Sequence, residues 1–587
     1  MRFISAIVSF VLAFLLIGYG IAQRTILAGP DHLTASVTLD SNAPLTIIDG
    51  TVLDANKGHQ TLEISGATKI FAAYGRTADV HAWVGDASYN KIRYNATTHA
   101  LASKTVTGKE STVPDPRGSD LWFEEHSSDT PLSFTVNVPK DISLIIASDG
   151  ADPAPTDVAI RWPLDNRTPW SGPLVIAGVA LLLLGLGLYL WALYHLRKAR
   201  GPRRKSPKMP KLPKQRSYKP RRTKQPKVAS GRRSARRRMI AVLPVLLAGS
   251  LALSSCSSDA LPSFFGAQGN AKPSATATVD PAATDNQQAT AVTVPQLNEI
   301  VTRVSAVAAK ADETKDAKLL ATRFAGAALQ LRTVNYEIRK KDDTVAALTA
   351  IPSGDIEVAL PQQNDTWPRT VFTVLVNPKD KTVSPLALVL QQETPRDNYK
   401  VIYAVSLEAK VVLPKVASAS IGAPQYLPDF KNLLLPPGKV GPAYADILLK
   451  GPESEFAKYF DTSHDRFAKD NGYEFKQARK AGMPDKVGVE FSNAPGVGGP
   501  IAFGTNNLGA IVAVSVDQSE TVSPTEAGAT LNSSGLVKTL SGVNTTLKGL
   551  VATYGEQLLF YVPKVGSHQK IVLLGDADGI VSAKEKQ

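Results

Sequence analysis

Two long apolar runs partition this chain before any folded domain can be drawn. Phe3 to Ala22 is almost continuously apolar, and Pro173 to Leu196 contains four successive leucines, Leu181 to Leu184. A helix of about 20 residues rises ~30 Å, the thickness of a bilayer hydrocarbon core. Trp170 and Trp191 flank the second run, where indole rings favour the membrane interface. The first run is either an anchor or a cleavable signal, with Gly20 and Ala22 at the positions a signal peptidase reads. These runs set the expected boundaries: 1–24 an anchor or signal, 25–170 an outer domain and 171–196 a transmembrane helix.

The net charge of +14 belongs to one segment. Between Arg197 and Arg238 stand 20 Lys or Arg and no Asp or Glu, so removing them leaves −6 for the rest. Six prolines, from Pro202 to Pro226, exclude a long helix there, and the segment cannot bury a core. Residues 197–238 therefore read as a disordered cytoplasmic loop, since Lys/Arg excess marks the cytoplasmic side. Anionic lipid headgroups are its expected partner. Nucleic acid is not expected, because Tyr218 is its one aromatic and stacking on bases has little support. The predicted topology is N-terminus in, 25–172 out, 197–238 in, and 257 onward out.

The outer domain reads as all-β. Short apolar stretches recur at Ser36–Leu39, Leu45–Ile48, Thr61–Ile64, Val80–Val84, Leu132–Val136 and Ser143–Ile146, with turns at Asp49-Gly50 and Asn56-Lys57-Gly58. Many short strands with turn signals predict a β-sandwich or barrel. Residues 257–292 form a Ser, Ala, Thr and Pro tract, read as a tether spanning roughly 30–35 Å.

From 293 the same order occurs twice, giving two α+β domains at 293–436 and 437–587. In the first, Leu297, Ile300, Val301, Val304 and Val307 share a helical face. A second helix runs through Leu319, Leu320, Phe324 and Leu331, and strands follow at 370–376, 385–391 and 399–407. In the second, helical stretches at 444–449 and 453–467 precede strands at 487–491, 510–516, 550–553, 557–562 and 570–574. Tyr554-Gly555-Glu556 is expected to turn the chain between two of these strands.

No catalytic motif stands out, and no metal or cofactor site is expected. Asn493 to Pro500 is glycine-rich but lacks the Lys-Ser/Thr of a phosphate loop, so a hairpin or bulge loop is expected. Asp576-Ala577-Asp578-Gly579 lacks the later ligands of a calcium loop and reads as a plain turn. His464-Asp465 near Asp461 has the residue types of an acid/base pair without a nucleophile at a recognisable spacing; a surface helix face is the simpler expectation. His81 and Trp83 are placed on one strand. Trp367, Tyr336 and Tyr399 are expected to pack in a core rather than line a pocket.

The only cysteine, Cys256, excludes disulfides and multi-cysteine metal sites. It follows Leu253-Ser254-Ser255, an apolar run from Met239, and the arginines ending at Arg238. Residues 239–256 resemble a bacterial lipoprotein signal with its lipobox. The resemblance implies a diacylglyceryl thioether on Cys256, recognition of Leu253, Ser254 and Ser255 by the signal peptidase, and cleavage between Ser255 and Cys256. The site is either internal or marks a fusion of two genes, with Met209 or Met239 as an original start. Helices followed by a curved antiparallel sheet resemble tandem NTF2-like or cystatin-like cones. The lipobox, tether and repeat together resemble uncharacterised actinobacterial membrane proteins with a lipoprotein-like C-terminal half of unknown function.

The expected role is non-enzymatic: a binding or scaffolding module on the outer face of the cytoplasmic membrane. Another envelope protein or a cell-wall polymer is the expected partner, and the two outward-facing halves are natural partners of each other. The alternative is a carrier of a small apolar ligand or lipid in the cones. A degenerate hydrolase would need His, Asp or Glu clustered in one cleft.

Overall fold

A computed structural model describes residues 2–164, 168–199, 289–377, 380, 382–409 and 411–587. The lipobox residues Leu253, Ser254, Ser255 and Cys256, most of the basic segment and residues 257–288 lie outside the described residues. The described chain is mixed α/β, with several sheets and few helices.

One compact unit contains two apolar helices, α1 (Arg2–Arg24) and α4 (Ser171–Ala199). Both are long and apolar enough to cross a membrane, by length and composition. They pack against each other, Phe3 meeting Tyr189 edge-on with ring centroids 6.0 Å apart. Gly178 permits the close approach: a Cβ there would lie 2.6 Å from Ile17 and 3.0 Å from the Ala13 carbonyl.

The second unit holds everything from 30 to 164 and from 289 onward that is described. Its N-terminal part runs β1 (His32–Thr38), β2 (Leu45–Ile48), α2 (Gly50–Leu53), β3 (Gln60–Ser65) and β4 (Ile70–Arg76). It continues through α3 (Thr77–Val84), β5 (Tyr89–Asn95), β6 (Ala100–Val106), β7 (Glu124–Ser128), β8 (Leu132–Val136), β9 (Ile142–Ala147) and β10 (Asp157–Pro163). The strands form a four-stranded sheet, β1-β10-β3-β8, and a six-stranded sheet, β6-β5-β2-β9-β4-β7. One core joins them, with Leu62, Ile146, Ile160 and Trp162 fully or almost fully buried. The central strands β2, β9 and β4 are buried on both faces, which is why they read as unbroken apolar runs. Their second face carries Leu45, Ile47, Phe71 and Ile145, covered by Val80, Trp83 and Val84.

That cover corrects one expectation. Val80 to Val84 is not a strand; it lies in helix α3, so His81 and Trp83 do not alternate on a strand. The buried positions Val80, Trp83 and Val84 have the i, i+3, i+4 spacing of a helical face. Nor is 30–164 free of helix, since α2 and α3 both belong to it.

The C-terminal part begins with α5 (Val294–Thr314), α6 (Ala317–Leu320) and α7 (Gly326–Lys341). A capping box fixes the start of α5: Thr293 accepts from the Gln296 amide, and the Gln296 side chain accepts from the Thr293 amide at 3.0 Å. Strands follow: β11 (Ile356–Pro361), β12 (Arg369–Leu375), β13 (Leu386–Gln392), β14 (Lys400–Leu407) and β15 (Gln425–Tyr426). Then come α8 (Pro437–Lys450), α9 (Arg466–Asn471), α10 (Tyr473–Ala481), β16 (Val487–Pro495), β17 (Ile501–Gly504) and β18 (Ala510–Pro524). The last elements are β19 (Leu531–Asn532), α11 (Gly535–Ser541), β20 (Thr545–Thr546), β21 (Leu550–Val562) and β22 (Val572–Glu585). The folded chain starts before α5, with Ala291 and Val292 already buried in the core that α5 covers, around Ile300 and Leu388.

Strands from both stretches join one ten-stranded sheet, β11-β12-β13-β14-β22-β21-β18-β17-β15, with β16 also paired to β18. The halves meet at a two-residue ladder, Ser406 opposite Asp576 and Leu407 opposite Gly575. Gly575 is required there, because a Cβ would sit 2.3 Å from the Ser406 carbonyl oxygen. Helices α5 to α7 cover one half of the sheet around Ile300, Val304, Leu388 and Val401. Helices α8 and α9 cover the other around Tyr444, Phe467, Val512 and Phe560. A third core holds side chains from both halves, including Phe372, Tyr403, Phe503 and Leu559.

Two expected turns are strand interior. Tyr554-Gly555-Glu556 lies within the thirteen-residue β21, where Gly555 pairs with Asp517 and with Gly579. Asp576 to Gly579 lies within β22, Asp576 opposite Leu558 and Asp578 opposite Glu556. Glycine and aspartate suggest turns locally, but both neighbouring strands are long enough to carry them through the ladder. The expected 453–467 helix is also broken: Gly451–Glu453 and Ala457–Tyr459 are single 3₁₀ turns, and α9 begins at Arg466.

Candidate functional site: a charged joint and two clefts

The described residues place their densest buried polar chemistry where 30–164 meets 289–587. Asp120, on the loop between β6 and β7, has a fully buried side chain. Its carboxylate accepts from Arg323 Nη1, from Arg303 Nη1 at 3.3 Å and from the Tyr399 amide at 2.8 Å. The Asp120 amide donates to Asn398 Oδ1 at 3.0 Å. Gln296, besides capping α5, donates from Nε2 to the Leu121 carbonyl at 3.0 Å. Taking a carboxylate out of water is costly unless charged and hydrogen-bonding partners answer it.

Helix α3 supplies the second half of the joint. Asp79, in its first turn, accepts from Arg369 Nη2 at 2.7 Å, and both side chains are almost wholly buried. The Arg369 guanidinium lies 3.8 Å from the centre of the Trp367 ring. Trp367 itself packs into the core beneath α3. At the other end of α3, Arg396 donates to the Trp83 and Val84 carbonyls, each at 2.8 Å, and to Glu110 at 2.7 Å. A cation at a helix C-terminus satisfies carbonyls left free by the helix and complements its dipole. Arg76 adds a bond to the Thr290 carbonyl.

None of the charged residues of the joint stood out in the sequence. Asp79, Asp120, Arg369 and Arg396 lie in separate segments with no motif spacing. Trp367 and Tyr399 were expected in a core, and both are packed, Tyr399 with Tyr336 in the first core and Trp367 against the core under α3. His81 stands beside Asp49, 3.5 Å from its carboxylate, and Asp49 also pairs with Lys91 at 2.6 Å.

A cleft of about 600 Å³ gathers Glu408, Asp461, His464 and Asp465 with Val411, Leu413 and Leu574. The fold thus adds the distant Glu408 to Asp461, His464 and Asp465, which already neighbour one another in the sequence. Their local partners are structural. Asp465 is the N-cap of α9, accepting from the Ala468 amide at 2.8 Å and from Tyr444 Oη at 2.7 Å. Asp461 accepts from Ser463, whose hydroxyl also meets His464 Nδ1 at 2.9 Å. His464 is therefore on an exposed bend, not a helix face.

Burial raises several carboxyls around this cleft. The Asp465 carboxyl is pushed up by burial and Glu408 by burial and then by Asp465; away from the cleft, on β21, Glu556 is pushed well up by burial. Asp576 rises to about 7 through burial, then Asp578, Glu408 and Asp465. The folded state holds protons that the unfolded chain would release above about 4. Stability is therefore expected to fall as pH rises from about 4 through 7, with a slope approaching ~1.4 kcal/mol per pH unit for one proton. Burial lowers Lys476 to about 8, which affects only the range above that. Unfolding midpoints should be higher at pH 5.5 than at pH 7.5, and Asp576→Asn should flatten the difference. A wild-type midpoint that rises over this range would contradict the assignment.

The glycine-rich stretch is strand up to Pro495, where Asn493 to Pro495 end β16 on β18; only Gly496 to Pro500 form the loop into β17, and Tyr403 Oη donates to the Gly499 carbonyl at 2.8 Å. Against α8 it lines a cavity of about 360 Å³ with Pro437, Gly441, Pro442, Pro495, Val514 and Val516. No group of three or more His, Cys, Asp or Glu suited to a metal occurs among the described residues.

The C-terminal body, carrying one whole side of the joint, is also the part of the chain with a recognised family. Residues 288–585 match a domain of unknown function, DUF8094, and the chain belongs to that family. No curated protein and no solved structure matches it.

Proposed function

We propose that the protein is a non-enzymatic envelope module on the outer face of a bacterial cytoplasmic membrane. In this reading residues 30–164 and 289–587 act as one rigid body for binding or scaffolding. The joint carries the proposal. Buried ion pairs at Asp120 and Asp79 fix orientation more than they add stability, which is what a scaffold requires. The apolar helices α1 and α4 hold the module in the membrane, and a lipid on Cys256 tethers its second half. Residues 197–238 lie on anionic headgroups rather than on nucleic acid. The first body is a β-sandwich, and 293–436 with 437–587 is a tandem of NTF2-like cones. Aromatic packing of Tyr444, Phe460 and Phe560 fills the second cone, which favours a scaffold that holds another envelope protein or a cell-wall polymer.

A small apolar ligand or lipid carrier is the second reading, favoured by the cavity beside α8. Its volume falls within the ordinary range for ligand pockets.

The test uses native-host membranes with tags at both ends, an inhibitor of lipoprotein signal peptidase, and protease added to protoplasts. The expected result is a C-terminal band near the mass of 256–587 that shifts upward with inhibitor and is degraded by external protease. Full protection from protease would overturn the location. Native mass spectrometry of the purified protein decides the second reading: a stoichiometric lipid beyond the one on Cys256 would replace scaffold by carrier.

A further inference from the structure

We propose that the 30–164 and 289–587 bodies form a complex that does not depend on the peptide chain between them, so that hydrolysis anywhere in 257–288, or between Ser255 and Cys256, leaves a stable pair of polypeptides. The partner surface for the DUF8094 body is thus the second face of the six-stranded sheet with α3 and the Asp120 loop. The inference rests on the outward placement of both bodies proposed above.

Three observations carry it. Twelve hydrogen bonds cross the joint among the described residues, a number typical of a stable protein complex. Second, the joint has the anatomy of a protein interface. An apolar centre is made by Trp83, Trp122 and Trp367, and arginines surround it. Aromatic and arginine side chains are the residues that dominate binding energy at such surfaces. Third, each body has a core of its own, centred on Trp162 and Ile146 in one and on Val304 and Leu388 in the other. The family match begins at 288, so it includes every joint residue on one side and none on the other.

The charge pattern also sets the pairing. Asp79, Asp120 and Glu110 come from the first body, and Arg303, Arg323, Arg369 and Arg396 answer from the second. Complementary charge of this kind selects a partner and fixes its register.

The experiment uses the full chain with Cys256→Ala, so that no lipid can hold the second half. A site for a specific protease is placed within 257–288, with different affinity tags at the two ends. After complete cutting in mild detergent, the C-terminal fragment is expected to remain on the N-terminal tag in one-to-one ratio through gel filtration. Arg369→Glu should release it at least ~100-fold faster, the factor expected from breaking a buried pair. Asp79→Arg combined with Arg369→Asp should recover part of the retention, which a merely misfolded variant would not. Free elution of a folded wild-type fragment after cutting, with an unchanged melting curve, would overturn the inference. That result would leave the membrane placement standing, since protease access on protoplasts measures it separately.

Discussion

Replacing Asp120 by alanine is expected to undock the two bodies. The substitution leaves Arg323, itself almost fully buried, and Arg303 without their carboxylate, and it orphans the Tyr399 amide. Removing one partner of a buried pair costs about 3–5 kcal/mol, because the remaining charge stays out of water. Thermal unfolding of the detergent-solubilised chain should change from coupled to separate transitions, and limited proteolysis should cut first near 110–120. Asp120→Asn keeps an acceptor for the Tyr399 amide but no charge, and should fall between alanine and the parent. An alanine variant with the parent's melting curve would show that the pair contributes nothing net.

Phe560→Ala is expected to have a comparable effect elsewhere. Phe560 is fully buried, with its ring 5.0 Å from Tyr444 and 5.9 Å from Phe460, centroid to centroid. Large-to-small changes at such positions cost about 3–5 kcal/mol through lost burial and the cavity left behind. The neighbouring Leu559 faces the core shared with Phe372 and Tyr403, so β21 belongs to both halves of the sheet. A denaturant titration should show one transition at lower midpoint for the whole of 289–587. If only half of the signal moves, the two halves fold independently despite the Ser406–Asp576 ladder.

These two sites differ in how far they could be read in advance. Phe560 lies in Gln557–Val562, an apolar stretch that signals a strand on its own. Helix α5 was equally plain, because Leu297, Ile300, Val301 and Val304 repeat at the helical period, and the structure adds the Thr293 cap. The strands Leu45–Ile48 and Arg369–Leu375 show the same legibility. Helix α3 did not: eight residues are too few for a period to be certain, and Val80, His81, Ala82, Trp83 also alternate. Gly555 and Asp576 misled for the opposite reason, since their turn preference was overridden by pairing along strands more than a dozen residues long.

The joint was invisible because its members interact only through tertiary contact. Asp120 reaches partners about 180, 200 and 280 positions away. Nothing local distinguishes it from a surface aspartate, just as nothing local marks Arg396 as the cap of a distant helix. The acidic cleft shows the same limit, Glu408 and Asp465 being brought together only by the turn after β14 and the start of α9.

What the sequence determined by itself was whatever rests on local pattern: the two membrane-length apolar runs, many of the short strands, the helical period of α5, and the concentration of positive charge in 197–238. Tertiary structure alone decided which surfaces meet. Hydrophobic periodicity reports that a face is buried but carries no address, whereas a buried carboxylate finds its arginine only after the whole fold has excluded water from both.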